Sequence, residues 1–484
     1  MDKKGNLTLI FHYLRVFLYM IGIITLIPLI VLLFYPGEMP EAVNFIVPGT
    51  LMIFLGFIVT KFFQEKEKLK LSKNQNYQLV FLIWIFAILV SAIPFLMTGN
   101  YSFTQAIFES TSGYSTTGLS VVDVDNTYNI YLFHRSFMQL VGGVGLVLVV
   151  TSTFANKYGI YLYSSEGHSE NLIPNLIKTS RLIITFYLSF IGLGTVLYVL
   201  FGMPTFDAIN HAIAAVSTGG FSTHTQSIGG YNSIAIEIVT IFLMLLGSIN
   251  FLVHLMLIKK QFKKVFNHSE LRTFVVVAMI FSGLSIASLL NQYSVSDSIR
   301  LGIFQTISSI TTTGFTVMDS FSGLPHAFIF GIVIMMLIGG SSGSTSGGIK
   351  QHRLSLMLHD IQWGLHSKLY DSRVIKSKVI YKFGNKVIVN NKEIKENYRF
   401  ISIYILFWMV SSLTITFFGY NIMDSMFEVA SALGTVGHSI GVMTYHSNPV
   451  VLWIGIIAMF LGRMEFYIII IAIGKVFLDI KKTN

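Results

Sequence analysis

Long apolar runs alternate with short polar stretches along the whole chain. Ten runs approach the roughly 20 residues that cross a bilayer core about 30 Å thick. They are 9–34, 45–63, 79–97, 131–154, 182–201, 233–258, 274–290, 327–338 with a broken continuation, 400–418 and 450–477. The first run is long, leads into a turn with Glu38 and Glu41, and has no small-residue cleavage site. It reads as an anchor and not as a removed signal segment.

Between consecutive runs lie segments too brief to span and too apolar for plain loops. Four align without gaps: 105–118 (QAIFESTSGYSTTG), 207–220 (DAINHAIAAVSTGG), 301–314 (LGIFQTISSITTTG) and 424–437 (DSMFEVASALGTVG). Leu119, Phe221, Phe315 or His438 comes next, followed by Ser120, Ser222, Thr316 or Ser439. A period of about 100 residues, each holding span, short helix, Gly-containing stretch and span, implies four copies of one unit. The physical reading is a re-entrant loop. A short helix enters the membrane from outside, and the chain returns as an extended stretch whose carbonyls have no helical partners. Such backbone is tolerated at this depth only where it is buried or faces a water-filled path. Glycine permits the dihedrals that turn carbonyls inward. Four such stretches around one axis can replace a cation's hydration shell, and each short helix aims about half a negative charge at the same place.

The second span of the third unit is interrupted by Gly339, Gly340, Ser341, Ser342, Gly343, Ser344, Thr345, Ser346, Gly347 and Gly348, followed by Ile349 and Lys350. Each glycine weakens a helix by about 1 kcal/mol relative to alanine, so this run holds no rigid helix. Gly343-x4-Gly348 has the spacing of a phosphate loop, but Ile349 stands where that motif requires lysine. Arg463 lies inside the last apolar run. A lone arginine at mid-bilayer costs about 2.5–3.5 kcal/mol. Glu465, two residues on, lies on another helix face. The arginine therefore needs a partner from another element, with the carbonyls and hydroxyls of 339–348 as candidates and an interhelical salt bridge as the alternative. Glu109, His211, Gln305 and Glu428 share one repeat position; because that slot lies on the short helix and not in the filter, they read as hydrogen-bonding support, with an acidic lure for cations as the alternative. Gly142, Gly143 and Gly145 read as close-packing positions.

Composition agrees with the spans. Hydrophobic residues make up 53% of the 484 and charged residues 12%, against about 25% charged in a soluble domain. That excludes nucleic-acid binders, secreted scaffolds and disordered chains. The net charge of +10 has a topological source. With the N-terminus inside and ten spans threaded, 29 of the 33 Lys and Arg fall on inside-facing ends, including five in 61–73, five in 259–272 and eleven in 350–399. This asymmetry puts both termini in the cytoplasm. The chain has no cysteine, and no carboxylate pair, metal cluster or nucleophile–base set points to an enzyme or a cofactor. Residues 378–390 read as a hairpin turning around Gly384-Asn385.

The four repeats in order, with the broken helix and Arg463, resemble the Trk/Ktr/HKT superfamily of cation transporters over the whole chain, most closely its bacterial TrkH-type potassium-uptake subunits. The resemblance implies an all-α integral membrane protein: an N-terminal helix pair plus four M1–P–M2 pore-loop repeats with pseudo-fourfold symmetry around one pore. The expected boundaries are 1–75 for the pair, 76–160, 161–262, 263–365 and 399–484 for the repeats, and 366–398 for a basic cytoplasmic loop. It implies a potassium-binding filter made of Thr116, Thr117, Gly118 and Leu119; Thr218, Gly219, Gly220 and Phe221; Thr312, Thr313, Gly314 and Phe315; and Thr435, Val436, Gly437 and His438. Gly118, where related plant transporters that pass sodium carry serine, implies potassium. His438 departs from the neutral residue expected and leaves pH sensitivity at the outer mouth open. The resemblance implies that 339–348, with Lys350 and Arg463, is the gate. It further implies a homodimer with a pore in each subunit, a bacterial inner-membrane location, and a TrkA-like cytosolic nucleotide-binding partner. Potassium is substrate here and no cofactor is expected. A proton- or sodium-coupled symporter is the alternative; such proteins usually have broken helices in paired half-repeats and intramembrane carboxylates, whereas this sequence reads as four parallel units with one broken helix.

Overall fold

The computed structural model describes residues 3–62, 73–145, 176–369, 377–466, 469–472 and 474. The chain opens with α1 (Lys3–Leu26), extended by the 3-10 segment Ile27–Leu33, and α2 (Ala42–Phe62). Unit 1 follows as α3 (Lys73–Met97), the short α4 (Phe103–Tyr114) and α5 (Asn129–Val144). Unit 2 comprises α6 (Leu176–Leu200), short α7 (Thr205–Val216), α8 (Ile234–Ser248) and α9 (Phe251–Ile258). After the one-turn α10 (Phe262–Phe266), unit 3 has α11 (Ser269–Leu289), short α12 (Val295–Ile310), α13 (His326–Ile338) and α14 (Gln351–Leu369). Unit 4 has α15 (Asn391–Thr416), short α16 (Ile422–Leu433) and α17 (Pro449–Met464).

The long outer helices and the short helices solve opposite problems. α6 and α11 turn Leu188, Leu193, Val196, Val275, Met279 and Ile280 outward, an apolar surface of the kind that meets lipid or a partner subunit. The short helices are buried instead: every α4 residue from Ala106 to Tyr114 is inside the protein. Three of the four N-termini are closed by side chains, while α7, which follows Pro204, has no side-chain cap. Ser102 and Gln105 form a capping box, Ser294 accepts from Asp297 and Asn421 accepts from Met423. This leaves the C-terminal ends as the buried, electronegative ends.

Three expectations are corrected here. The runs 233–258 and 450–477 are not single spans. α8 and α9 meet at 104° across Ile249 and Asn250, where the Asn250 side chain accepts from the Leu252 N–H at 2.8 Å and starts α9. α17 stops at Met464, and Glu465 takes a left-handed φ of 56°. α5 likewise stops before Gly145, at φ 95°; the rest of its predicted span, 146–154, lies outside the described residues. The break at 339–350 is therefore one of a set, and hydropathy misses the others because an apolar residue looks the same on either side of a backbone turn. The third correction is the hairpin. β1 (Val379–Lys382) and β2 (Asn385–Ile388) pair with Lys382 opposite Asn385. The turn is thus Phe383-Gly384, at φ 50° and 82°, the two positive values that a type I′ turn needs. Most of the basic stretch 61–73, Lys157, and Lys475, Lys481 and Lys482 lie outside the described residues.

A buried carboxylate helps tie the N-terminal pair to unit 1, beside the bonds of Glu41 and Asn44 to Tyr131. Glu38 accepts from the backbone N–H groups of Asn129 and Ile130 at 3.0 and 2.9 Å, and from the Asn129 side chain at 2.8 Å. It caps α5 from another element, a favourable place for negative charge. Glu38→Ala leaves those donors unpaired and should destabilise the protein by about 1–3 kcal/mol. The check is the thermal midpoint in detergent, and an unchanged midpoint would mean that this cap adds nothing to the attachment of the pair.

Candidate functional site

Each short helix ends in the same way. The N–H of Thr117, Gly219, Thr313 and Val436 reaches back five residues, to Ser112, Ala214, Ser308 and Ser431, at 2.8–3.0 Å. The preceding N–H reaches back three residues, to Gly113, Ala215, Ser309 and Ala432. This is the Schellman pattern, whose left-handed residue is usually glycine. Here it is threonine in all four units: Thr116, Thr218, Thr312 and Thr435, at φ 50–55°. A β-branched residue in that region is an outlier, costing about 1–3 kcal/mol at each position. Four identical outliers mark one built feature.

Two residues later come Gly118, Gly220, Gly314 and Gly437, again at positive φ. A Cβ on Gly118 would strike the carbonyl oxygen of Gly219. On Gly220 it would strike that of Thr313, on Gly314 that of Val436, and on Gly437 that of Thr117. The contacts run from unit 1 to 2 to 3 to 4 and back to 1, so the four stretches close a ring. The next residues, Leu119, Phe221, Phe315 and His438, are all buried. His438 lies behind the ring, with Nε2 3.1 Å from the Ser309 hydroxyl and its ring 5.0 Å from Phe321.

A second layer supports the ring. Glu109 accepts from Ser120 at 3.0 Å, His211 shares a 3.0 Å bond with Ser222, Gln305 donates to Thr316 at 2.7 Å, and Glu428 accepts from Ser439 at 2.8 Å. Each unit thus staples its short helix to the chain leaving the ring. Arg135 neutralises Glu109 at 2.7 Å and reaches the Ser222 carbonyl at 3.1 Å. Its guanidinium lies 4.1 Å from the centre of the Phe221 ring, so it bridges units 1 and 2.

The Gly/Ser loop between α13 and α14 lies against the helix-side end of this ring. Thr345 Oγ1 is 3.0 Å from Thr218 Oγ1 and donates to the Gly247 carbonyl at 3.0 Å. Ser346 donates to the Thr311 carbonyl at 2.8 Å, and the Gly347 N–H donates to Thr312 Oγ1 at 2.8 Å. Asn250 holds the Ser342 carbonyl at 2.6 Å, Gln351 holds the Gly339 carbonyl at 2.8 Å, and Lys350 Nζ donates to the Ser346 carbonyl. Arg463, in the last turn of α17, donates to the Thr345 carbonyl at 2.7 Å and to the carbonyls of Gly142 and Gly143. The loop carbonyl is the kind of partner expected. The glycine carbonyls are not: Gly142 does pack closely, against the Tyr114 carbonyl, but its own carbonyl also serves the arginine.

The hairpin reaches the same loop. Tyr381 N–H donates to Ser269 at 3.1 Å, and His268 stacks on Phe383 at 4.4 Å. His268 Nε2 is 3.5 Å from Glu270, whose other oxygen accepts from the Ser342 N–H at 2.5 Å. Burial, with Lys382 3.5 Å away, pushes the His352 pKa down to about 4.

A family model described as "TrkH: Cation transport protein" matches residues 47–482. The chain belongs to the TrkH family. It is 31% identical to an uncharacterized cation transporter of Methanocaldococcus jannaschii, over 96% of this chain and 94% of that one. It is 29% identical to the Trk system potassium uptake protein TrkG of Escherichia coli, over 98% and 99%. The crystal structure of the potassium transporter TrkH from Vibrio parahaemolyticus superposes with a TM-score of 0.84 at 26% identity, covering 96% and 98%. Sequence reasoning missed the support bonds of Asn250 to the Ser342 carbonyl, of Glu270 to the Ser342 N–H and of Gln139 to the Gly219 carbonyl. Each is a polar residue in or beside an apolar run, and that position was the available signal.

Gly314→Ala pushes a methyl group into the Val436 carbonyl. It should abolish cation flux into reconstituted vesicles while the purified protein remains monodisperse. Flux within twofold of wild type would mean that the ring is not on the ion path.

Proposed function

We propose that this TrkH-family chain is the potassium-conducting membrane subunit of a bacterial-type uptake system. Ions pass the four-stretch ring, with carbonyls and the Thr116, Thr218, Thr312 and Thr435 hydroxyls replacing water. The observation that carries this reading is the closed cycle of glycine–carbonyl contacts, because it fixes four carbonyls around one axis. Voltage can drive accumulation: about 2.3 kcal/mol per charge per 100 mV is comparable to a hundredfold gradient. The loop 339–348 is the gate, closed in this conformation, with Arg463 as its latch. A TrkA-like nucleotide-binding subunit docks on the cytosolic face, with ATP or NAD acting through it. The protein is a homodimer with N- and C-termini in the cytoplasm.

Broken inner helices recur among the units, so they no longer separate a pore from an ion-coupled symporter. The carboxylates do. Glu109 and Glu428 are buried behind the ring with Arg135, serines and backbone N–H groups as partners, which disfavours them as proton carriers. Reconstitution under voltage clamp with potassium or sodium gradients tests this. Currents that follow potassium and voltage alone support the pore, and a reversal potential that moves with pH supports coupling.

Arg463→Ala removes charge-assisted bonds worth about 1.5–3 kcal/mol each. Gly347→Ala adds a methyl group where Thr435 Oγ1 and the Gly434 carbonyl sit. Both should raise single-channel open probability by about tenfold or more. Unchanged gating in both would remove the loop as the gate.

A further inference from the structure

The ring is fourfold in outline but not in chemistry. In units 1, 3 and 4 the residue that supplies the ring carbonyl is β-branched: Thr117, Thr313 and Val436. Branching at Cβ restricts the conformations available to such a residue. In units 1 and 3 its hydroxyl is also tied down, Thr117 to Ser115 at 2.6 Å and Thr313 to Thr311 at 2.9 Å. Unit 2 has Gly219 there, followed by Gly220, the most freely rotating pair of the four. Nothing in its own sequence holds the Gly219 carbonyl toward the axis.

Gln139 fills that gap. It projects from α5 of unit 1 and is fully buried. Its Nε2 donates to the Gly219 carbonyl at 2.6 Å, and its Oε1 accepts from the Phe221 N–H at 3.3 Å. The two bonds fix which end of the amide is nitrogen, since only the NH2 can donate to a carbonyl and only the oxygen can accept from an N–H. A Cβ on Gly219 would run into the Gln139 carboxamide, so the glutamine occupies the space that a threonine fills in units 1 and 3. The Gly219 carbonyl oxygen has two lone pairs, and the bond from Gln139 uses one of them.

We propose that Gln139 is a positioning residue of the filter that determines its potassium preference, substituting from the neighbouring unit for the β-branched side chain that unit 2 lacks. The inference rests on the conduction reading above. Without the clamp, the double-glycine carbonyl swings freely and the ring accepts a smaller ion.

The test uses the full-length protein in bilayers, with bi-ionic reversal potentials for potassium against sodium. Gln139→Met keeps the volume and loses the donor. It should lower the permeability ratio by about tenfold with little change in thermal midpoint. Gly219→Thr alone overlaps Gln139 and should impair flux. Gly219→Thr combined with Gln139→Ala recreates the arrangement of unit 1 and should restore discrimination to within about threefold of wild type. A Gln139→Met protein as selective as wild type overturns the role of Gln139. So does a double variant no better than Gly219→Thr alone, and that arm stands even if Gln139→Met fails to fold. A wild type without potassium preference is a different result, since it removes the conduction reading itself.

Discussion

The missing Cβ of four glycines is the constraint on which the rest of this molecule depends. Each lies against a carbonyl of the next unit, and the four contacts close in order around one axis. Carbonyls repel one another and do not gather at a point unless the surrounding protein holds them there. The protein holds them with a helix terminus that costs strain: a threonine in the left-handed region at the end of each short helix. The compensation is spread widely, through Schellman bonds, buried side chains after the ring, and the staple from Glu109, His211, Gln305 or Glu428 to a hydroxyl eleven residues on.

That staple explains a pattern that is otherwise chemically odd. One repeat position holds two carboxylates, a histidine and an amide. They share one task, which is to bond a Ser or Thr hydroxyl in a dry setting. In the carboxylate units, backbone N–H groups of the exit loop are gathered as well. Only Glu109 is matched by a buried arginine. Arg135 also bonds the Ser222 carbonyl and lies against Phe221, so charge neutralisation and the seam between units 1 and 2 are the work of one side chain. The seam between units 3 and 4 uses His438 with Ser309.

The broken inner helices follow from the same geometry. The ring leaves polar ends that a continuous apolar helix cannot serve. Breaks at Gly145, Ile249–Asn250, Gly339–Lys350 and Glu465 free carbonyls and N–H groups beside it. The loop of unit 3 uses them: it reaches Gly247 in unit 2, the ring threonines, and Arg463 in unit 4, which in turn bonds Gly142 and Gly143 in unit 1. One cation and one ten-residue loop thereby bring together all four units. The same loop is tied through Ser342, Glu270 and His268 to the hairpin, so a continuous chain of contacts joins the hairpin to the ring.

By itself the amino-acid sequence determined the membrane class, the fourfold repeat, the ring glycines and the loop that breaks unit 3. These are legible because each is a pattern in composition or spacing: apolar length, a gapless repeat, a cluster of helix-breaking residues. The shared slot at Glu109, His211, Gln305 and Glu428 was legible as support for the same reason. Tertiary structure alone decided the breaks at 249–250 and 465, the turn at Phe383-Gly384, the glycine carbonyls that receive Arg463 and the clamp of Gln139 on Gly219. Dihedral angles leave no trace in hydropathy. A hydrogen bond between residues 80 apart, as from Gln139 to Gly219, exists only once the helices carrying them are packed side by side.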